Sequence, residues 1–590
     1  MKSARLFACV AALWWAGGGG VMAQSGAQGA AQIPVRTPVQ GALQGAAQTP
    51  SQTPSQTPSQ TPSQTPSQTP SQTPSQTSSQ TSSQTPSQTS SQASSQASSQ
   101  TTPQPAALPA AVQEELRRAA IPLGALGLYI AEAGAIGAQG PQAMRGAQGG
   151  RGPRGMQGAR GMQGGQGAQS VQAEAGPAPL LTLNETRPMN PASTIKLVTT
   201  FAALELLGPA YTWKTVAAAT VPAADVLDGD LYLKGSGDPK LVLENVWLLL
   251  RQLRQRGVRE IRGDLVLDRS VFDLPPHDPA RFDNDPLRPY NAGADGLLLN
   301  FKSVLLRFVP DAGQRSVRVI GEPALPGVIG APRLVDGPCA PDWRGELRGD
   351  FSDPGRPVFA GSYARSCGER IWPVSLFDPD RYAENLFRQL WVGMGGVWRG
   401  TVRAGTLPAN AVTLAEQVSP TLAEVVRDIN KYSNNVMARQ LFLTLAVEGE
   451  RGPGTTERAA RVVRSWLEGR GLAMPELVLE NGSGLSRIER ISAQNMGRLL
   501  LAGFAAPVMP ELISSLPVLG IDGTLRRRQG VLVGRAHMKT GTLNDVRAIA
   551  GYVLAGSGRR YAVVAMINHP NANAGQPAFD ALLQWLHERG

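Results

Sequence analysis

The chain has 590 residues, 42% of them apolar and 17% charged, with a formal net charge of +11 dominated by arginine. That length allows two or more domains, but three cysteines and four scattered histidines (His277, His537, His569, His587) supply neither Cys-x-x-Cys nor His-Glu-x-x-His, so no metal site and no cofactor is expected. The positive charge suits anionic polymers in general, and no motif for nucleic acid accompanies it.

Lys2 and Arg5 precede an apolar run from Leu6 to Trp15, and Val21-Met22-Ala23 before Gln24 has the form of a signal-peptidase site. Residues 1–23 are therefore expected to be a signal peptide and the rest to be exported, to the periplasm. Cys9 lacks the apolar segment that a lipoprotein box needs ahead of it. No later run approaches the roughly 20 apolar residues of a membrane span, so none is expected. Residues 48–103 repeat Ser-Gln-Thr-Pro and Ser-Ser-Gln units almost without apolar side chains or charge, which leaves nothing to offset ordering entropy. Residues 24–107 are taken as a flexible tether, with a stalk as the functional alternative.

The folded part is expected from about Leu108, with a helix over Ala110–Ala119 and a strand over Leu126–Ala131. Glycine then recurs every third residue from 134 to 167 with a gap at Ala143, the collagen period, but only Pro141 and Pro153 fall within it. A flexible insertion over 134–169 in the turn of a β-hairpin is preferred to a trimerising stalk, with the second strand at Pro179–Leu183.

Next comes Asn190–Thr200, NPASTIKLVTT. Ser193–Leu207 contains no Gly or Pro and is closed by Gly208-Pro209, which predicts a helix that puts Ser193 and Lys196 on one face. A neutral Lys196 amine there can take the Ser193 proton. A free lysine has a pKa of about 10.4, so this needs burial or a neighbouring cation. Ile195, Leu197, Val198, Phe201 and Leu204 cover most of the helix and supply the burial. Of the eight lysines only Lys196 has a serine three positions before it. On these two residues alone, a surface lysine at a helix start stays open.

From about Tyr211 to Thr413 the pattern turns to short strands, such as Asp230–Lys234, Gly263–Leu267, Val304–Phe308 and Val317–Gly321, with few long helical stretches. A largely β insert is expected over 211–413, between a first catalytic part (108–210) and a second (414–590). With Cys9 removed, Cys339 and Cys367 remain, and two cysteines in an exported chain suggest a disulfide of roughly 3 to 4 kcal/mol. Leu422, Val425, Val426 and Ile429 then mark an amphipathic helix running to Lys431, and an apolar stretch resumes over Val436–Ala446. Ser433 and Asn435 lie at that junction, facing a cleft or forming an ordinary polar turn. Ala536–Thr542 predicts a strand carrying Lys539-Thr540-Gly541-Thr542, with Gly541 admitting close approach by a ligand. Strands at Ala548–Leu554 and Tyr561–Ile567 and a helix at Pro577–Glu588 close the chain. His537 is expected to be a strand residue near the cleft, not a catalytic group.

Ser193-x-x-Lys196, Ser433-x-Asn435 and Lys539-Thr540-Gly541, in that order, resemble the motif set of the penicillin-recognising acyl-serine enzymes. The 240 positions from Ser193 to Ser433, with GSGDPKL at 235–241, ENGSGLSR at 480–487 and GIDGTLRRR at 520–528, narrow the resemblance to the class C low-molecular-mass penicillin-binding proteins. It covers about 108–590 apart from the glycine repeat. The resemblance implies an α/β fold: a serine β-lactamase/transpeptidase-like domain, an antiparallel sheet flanked by helices, carrying the mainly β insert. It implies an exported D-Ala-D-Ala carboxypeptidase or endopeptidase that acts on peptidoglycan stem peptides and cross-links and is acylated by β-lactams. By the same resemblance, Ser193 is the nucleophile, Lys196 its base and Ser433 a proton relay, while Asn435 holds the substrate amide. Lys539, Thr540, Gly541 and Thr542 bind the terminal carboxylate, and the N–H groups of Ser193 and Thr542 form the oxyanion hole. Leu485, Arg487 and Leu543 match a pocket for the diaminopimelate side chain; loop packing and a surface charge are their plain alternative. A β-lactamase and a non-catalytic wall-binding scaffold remain as other readings.

Overall fold

The computed structural model describes residues 107–134 and 178–590. The expected signal peptide, the tether up to residue 106 and the glycine repeat beyond Gly134 lie outside the described residues.

The site is organised by a five-stranded antiparallel sheet in the order Ala536–Leu543, Val546–Leu554, Arg560–Asn568, Leu126–Ala133, Leu181–Leu183. Its central strands are apolar at nearly every position because both faces are covered, and successive side chains serve opposite layers. Tyr129, Ala131, Ala550, Tyr552, Val564 and Met566 face one layer, which holds the helices Lys196–Leu206, Leu422–Tyr432, Asn435–Gly449 and Ala493–Ala505. Leu128, Ile130, Ile549, Val563 and Ala565 face the other, against the helices Ala110–Arg118 and Gln576–Arg589. The edge strand Ala536–Leu543 thus presents Lys539, Thr540 and Thr542 beside the first of these layers.

Residues 214–418 form two further five-stranded sheets around an apolar cluster of their own. One is ordered Val402–Ala404, Leu265–Asp268, Leu231–Lys234, Lys214–Ala219, Val412–Val418; the other Ser362–Ala364, Arg333–Val335, Ser316–Glu322, Val304–Asp311, Arg370–Val374. The last strand of the first sheet runs on to Val418, across residue 413. Two full helices also stand here, Leu243–Gln255 and Pro379–Gly393, where the sequence analysis expects few. Their helical period is present in Val246, Leu249, Leu250 and Leu253, and in Tyr382, Leu386, Phe387 and Leu390, all buried. Asp378 accepts from Arg381 N at 2.9 Å and Pro379 opens the second helix, a start signal overlooked among the strands. Cys339 and Cys367 are joined by a disulfide, with their Cα atoms 4.8 Å apart.

Candidate active site

Ser193 sits in a 3₁₀ turn, Ala192–Ile195, that leads into the helix Lys196–Leu206; the predicted single helix is tighter over its first turn. Pro191 O accepts from Thr194 N and from Thr194 Oγ1. Asn190 clamps the turn from below: its Oδ1 accepts from Ala192 N at 2.9 Å and its Nδ2 donates to Ser486 O at 3.0 Å. Asn568, from the middle strand of the sheet, exchanges two hydrogen bonds with the Asn190 backbone. Close approach fixes the turn from two more sides. A Cβ on Gly541 would lie 2.7 Å from Pro191 O, and one on Gly484, whose φ is +81°, would lie 2.6 Å from Ser193 N. Neither position tolerates a larger residue.

Lys196 is fully buried. Its Nζ lies 3.0 Å from Ser193 Oγ and 2.7 Å from Asn435 Oδ1, and it also bonds the carbonyl of Ser483. A neutral amine has two N–H donors and one lone pair. Two of the three partners are acceptors, so the third, the Ser193 hydroxyl, can donate to the lone pair. Burial lowers the Lys196 pKa well below the ordinary lysine value, and Lys539 and Arg439 lower it further, against an opposing effect of Glu489. The site therefore favours the uncharged amine.

Ser433 and Asn435 flank the junction of the helices Leu422–Tyr432 and Asn435–Gly449. Ser433 stops the first helix in the left-handed region at φ +56°, strained for a serine, while Asn434 caps the second by accepting from Met437 N at 3.0 Å. The reversal turns the Ser433 hydroxyl towards the edge strand, where Lys539 Nζ donates to it at 2.8 Å. Lys539 also donates to Thr540 O, and Thr540 Oγ1 is 2.8 Å from Thr524 Oγ1. The side chains of Ser193, Lys196 and Asn435 thus meet at one amine, and Ser433 meets Lys539 beside them.

Leu485 and Leu543 share a small apolar cluster with Ala192, Val546 and Phe282. Arg487 stacks over Phe282 at 4.5 Å and pairs with Asp545 at 3.3 Å. The three residues of the proposed side-chain pocket are together, and residues 211–413 contribute Phe282 to their rim. His537 is half-buried on the edge strand, its pKa lowered by burial. Among the described residues no group of three or more His, Cys, Asp or Glu side chains is placed to hold a metal ion, and no helix is long and apolar enough to cross a membrane.

Residues 159–589 match the model of the D-Ala-D-Ala carboxypeptidase 3 (S13) family. The chain belongs to this family. It is a class C low-molecular-mass penicillin-binding protein and a serine D-Ala-D-Ala carboxypeptidase. Among curated relatives, the D-alanyl-D-alanine carboxypeptidase of Actinomadura sp. (strain R39) is 33% identical over 387 residues, 62% of this chain and 70% of that protein. The D-alanyl-D-alanine carboxypeptidase DacB of Haemophilus influenzae is 27% identical over 384 residues, 64% of this chain and 80% of that protein. The crystal structure of penicillin binding protein 4 (dacB) from Haemophilus influenzae superimposes with a TM-score of 0.57 at 25% identity, covering 69% of this chain and 93% of that one. The same protein has been crystallised in complex with a β-lactam.

Several neighbours of the carboxypeptidase site carried no motif letter. Arg547 donates to Thr542 Oγ1 at 3.1 Å and is held by Gln576 Oε1. It lies directly opposite Thr542 because the second strand begins at Val546, two residues before the expected start. The Ser483 carbonyl and the buried Glu489 behind it were likewise missed, although the run ENGSGLSR stood out.

Proposed function

We propose that Ser193 attacks the carbonyl of the terminal D-Ala-D-Ala bond of a peptidoglycan stem peptide, or of a D-alanyl cross-link, while the neutral Lys196 amine takes its proton. The C–N bond breaks as Ser433 passes a proton to the leaving amine. Water then hydrolyses the ester and restores the Ser193 hydroxyl. Lys539, beside Ser433, attracts the terminal carboxylate, which the hydroxyls of Thr540 and Thr542 accommodate. The N–H groups of Ser193 and Thr542 meet the developing oxyanion, a contribution of about 3 kcal/mol per donor. Asn435 holds the substrate amide once the substrate enters, and its bond to Lys196 keeps that amine pointed at Ser193. Leu485, Leu543, Phe282 and Arg487 receive the diaminopimelate side chain, with the guanidinium facing its free carboxylate. The substrates lie outside the cytoplasm, in keeping with residues 1–23 as a signal peptide for export to the periplasm, 24–107 as a tether and 211–413 as an inserted domain.

One observation carries this reading: a wholly buried lysine amine with a lowered pKa, 3.0 Å from the Ser193 hydroxyl. A fluorescent penicillin tests it. The protein should be labelled stably and Ser193→Ala not at all, and digestion of purified peptidoglycan should release D-Ala and resolve cross-linked dimers. Labelling of Ser193→Ala at the normal rate would overturn the reading, and rapid turnover of the label would make the protein a β-lactamase instead.

A further inference from the structure

Glu489 is fully buried and belongs to none of the three motifs. Its Oε1 accepts the backbone N–H groups of Glu480 at 3.2 Å, Asn481 at 3.0 Å and Gly482 at 2.8 Å, and its Oε2 accepts that of Gly484 at 3.0 Å. Four donors converging on one carboxyl suit the ionised form, which only accepts. The residue is itself fixed, since Ser486 Oγ accepts the N–H groups of Ile488 and Glu489. The segment so gathered is the one that touches the reacting groups. The Ser483 carbonyl accepts from Lys196 Nζ, Thr199 Oγ1 donates to Gly482 O at 2.7 Å, and Gly484 abuts the Ser193 backbone.

We infer that Glu489 is a positioning residue for acylation: by collecting four amides of the 480–484 loop it fixes the Ser483 carbonyl that orients the Lys196 amine towards Ser193. The inference rests on Ser193 and Lys196 acting as proposed above. Without the carboxylate, the loop's amides lose their common acceptor, and the carbonyl that claims one N–H of the amine is free to drift. The amine can then turn its lone pair away from the hydroxyl. Misplacement of a reacting group by about 1 Å costs about 100-fold in rate.

Electrostatics supplies a second readout. Lys539 on the edge strand and Arg439 on the helix Asn435–Gly449 act on Lys196 to favour its neutral form, and Glu489 alone among its named neighbours favours the charged one. Arg439 in turn is buried, with its pKa lowered to about 10 despite Glu489 and Glu480. Burial pushes the Glu489 carboxyl up, while the loop amides and Lys196 pull it down. Removing the Glu489 charge leaves the two cations unopposed, so Lys196 loses its proton more readily.

The experiment measures the acylation rate constant with a fluorescent penicillin from pH 4 to 9 in the full chain, for the wild type, Glu489→Gln and Glu489→Asp. An amide keeps one accepting oxygen but turns an NH2 towards the Gly484 N–H, so Glu489→Gln should acylate about 100-fold more slowly at its plateau and its acidic limb should move to lower pH. Glu489→Asp keeps the charge on a shorter stem, so its limb should stay in place while its plateau falls. A destabilised loop with no positioning role would lower the melting temperature and leave plateau and limb unmoved in the folded fraction. Wild-type plateau and limb in folded Glu489→Gln would overturn the inference. Should that variant not fold, a wild-type plateau in Glu489→Asp would do the same. Loss of labelling in Ser193→Ala checks the underlying reading separately, so the two failures are distinguishable.

Discussion

The catalytic part (178–210 and 419–590) and the intervening region (211–418) both bury ionisable side chains, but they surround them differently. In the intervening region Asp238 and Asp268 are 3% and 2% exposed, and each accepts nearby backbone amides: Lys240 N at 2.7 Å for the first, Ser270 N and Leu407 N at 3.0 and 2.8 Å for the second. These are acceptors closing turns, a structural task that any good acceptor could share. In the catalytic part Lys196 and Lys539 are both fully buried. Their named partners there are serine hydroxyls, an amide oxygen and backbone carbonyls. Such partners cannot neutralise a cation, and two ammonium groups close together repel. The strain is relieved when one of them gives up its proton. A buried carboxylate on turn amides therefore speaks of architecture, whereas two buried amines sharing a cleft with two hydroxyls speak of proton transfer.

The largest test of that contrast is Lys539→Ala. It removes a cation from beside Ser433 and lifts one of the influences that hold Lys196 neutral. Acylation by a fluorescent penicillin should fall about 100-fold or more. Because the remaining amine then keeps its proton to higher pH, the acidic limb of the rate profile should move up, opposite to the shift expected for Glu489→Gln. Movement in the same direction for both variants would mean that the two charges do not act on Lys196.

Much of this was legible before the structure, and the parts that were not share a cause. Ser193, Lys196, Ser433, Asn435 and Lys539 act through side chains, so their letters and order carry the message. The Ser483 carbonyl acts through the backbone, and Glu489 acts by holding the backbone; neither role has a residue type that announces it. Arg547 was hidden by two residues of strand, since with the strand drawn from Ala548 it has no partner opposite Thr542. Phe282 reaches Arg487 across 205 positions of sequence, a contact no local pattern encodes. The helices 243–255 and 379–393 were overlooked because short strands on either side set the expectation, although their own period of buried residues was plain. The central strands of the sheet were the easiest, because burial on both faces makes them apolar almost throughout.

A smaller effect, confined to the intervening region, is expected on removing the Cys339–Cys367 bond. The cysteines are 28 positions apart, and a loop of that size gives the disulfide about 3 to 4 kcal/mol in the chain-entropy model. Paired Cys339→Ser and Cys367→Ser changes should lower the unfolding midpoint of the protein and leave the acylation rate at 25 °C within about twofold. A matching collapse of acylation would show that residues 211–418 shape the cleft more tightly than the contribution of Phe282 suggests.

The smallest effect concerns the sign of one buried charge. Burial raises the Asp238 pKa to about 6, against the hydrogen bond and charge of Lys240, whereas in the unfolded chain it is about 3.9. Between those values the folded state holds more protons than the unfolded one, so stability from this group falls as pH rises from about 4 to 6 and stays lower above. Asn at this position keeps an oxygen for Lys240 N and has no charge to desolvate. Asp238→Asn should therefore be more stable than the wild type at pH 8 by about 1 to 2 kcal/mol, with the gain vanishing near pH 4, as read by urea unfolding at both pH values. The acylation rate should not change, since the aspartate serves only its turn. If the variant is instead less stable at pH 8, the carboxylate is held by Lys240 more strongly than burial opposes it. The intervening region would then also contain a charge kept for its charge, and the contrast with the catalytic part would narrow to the lysines alone.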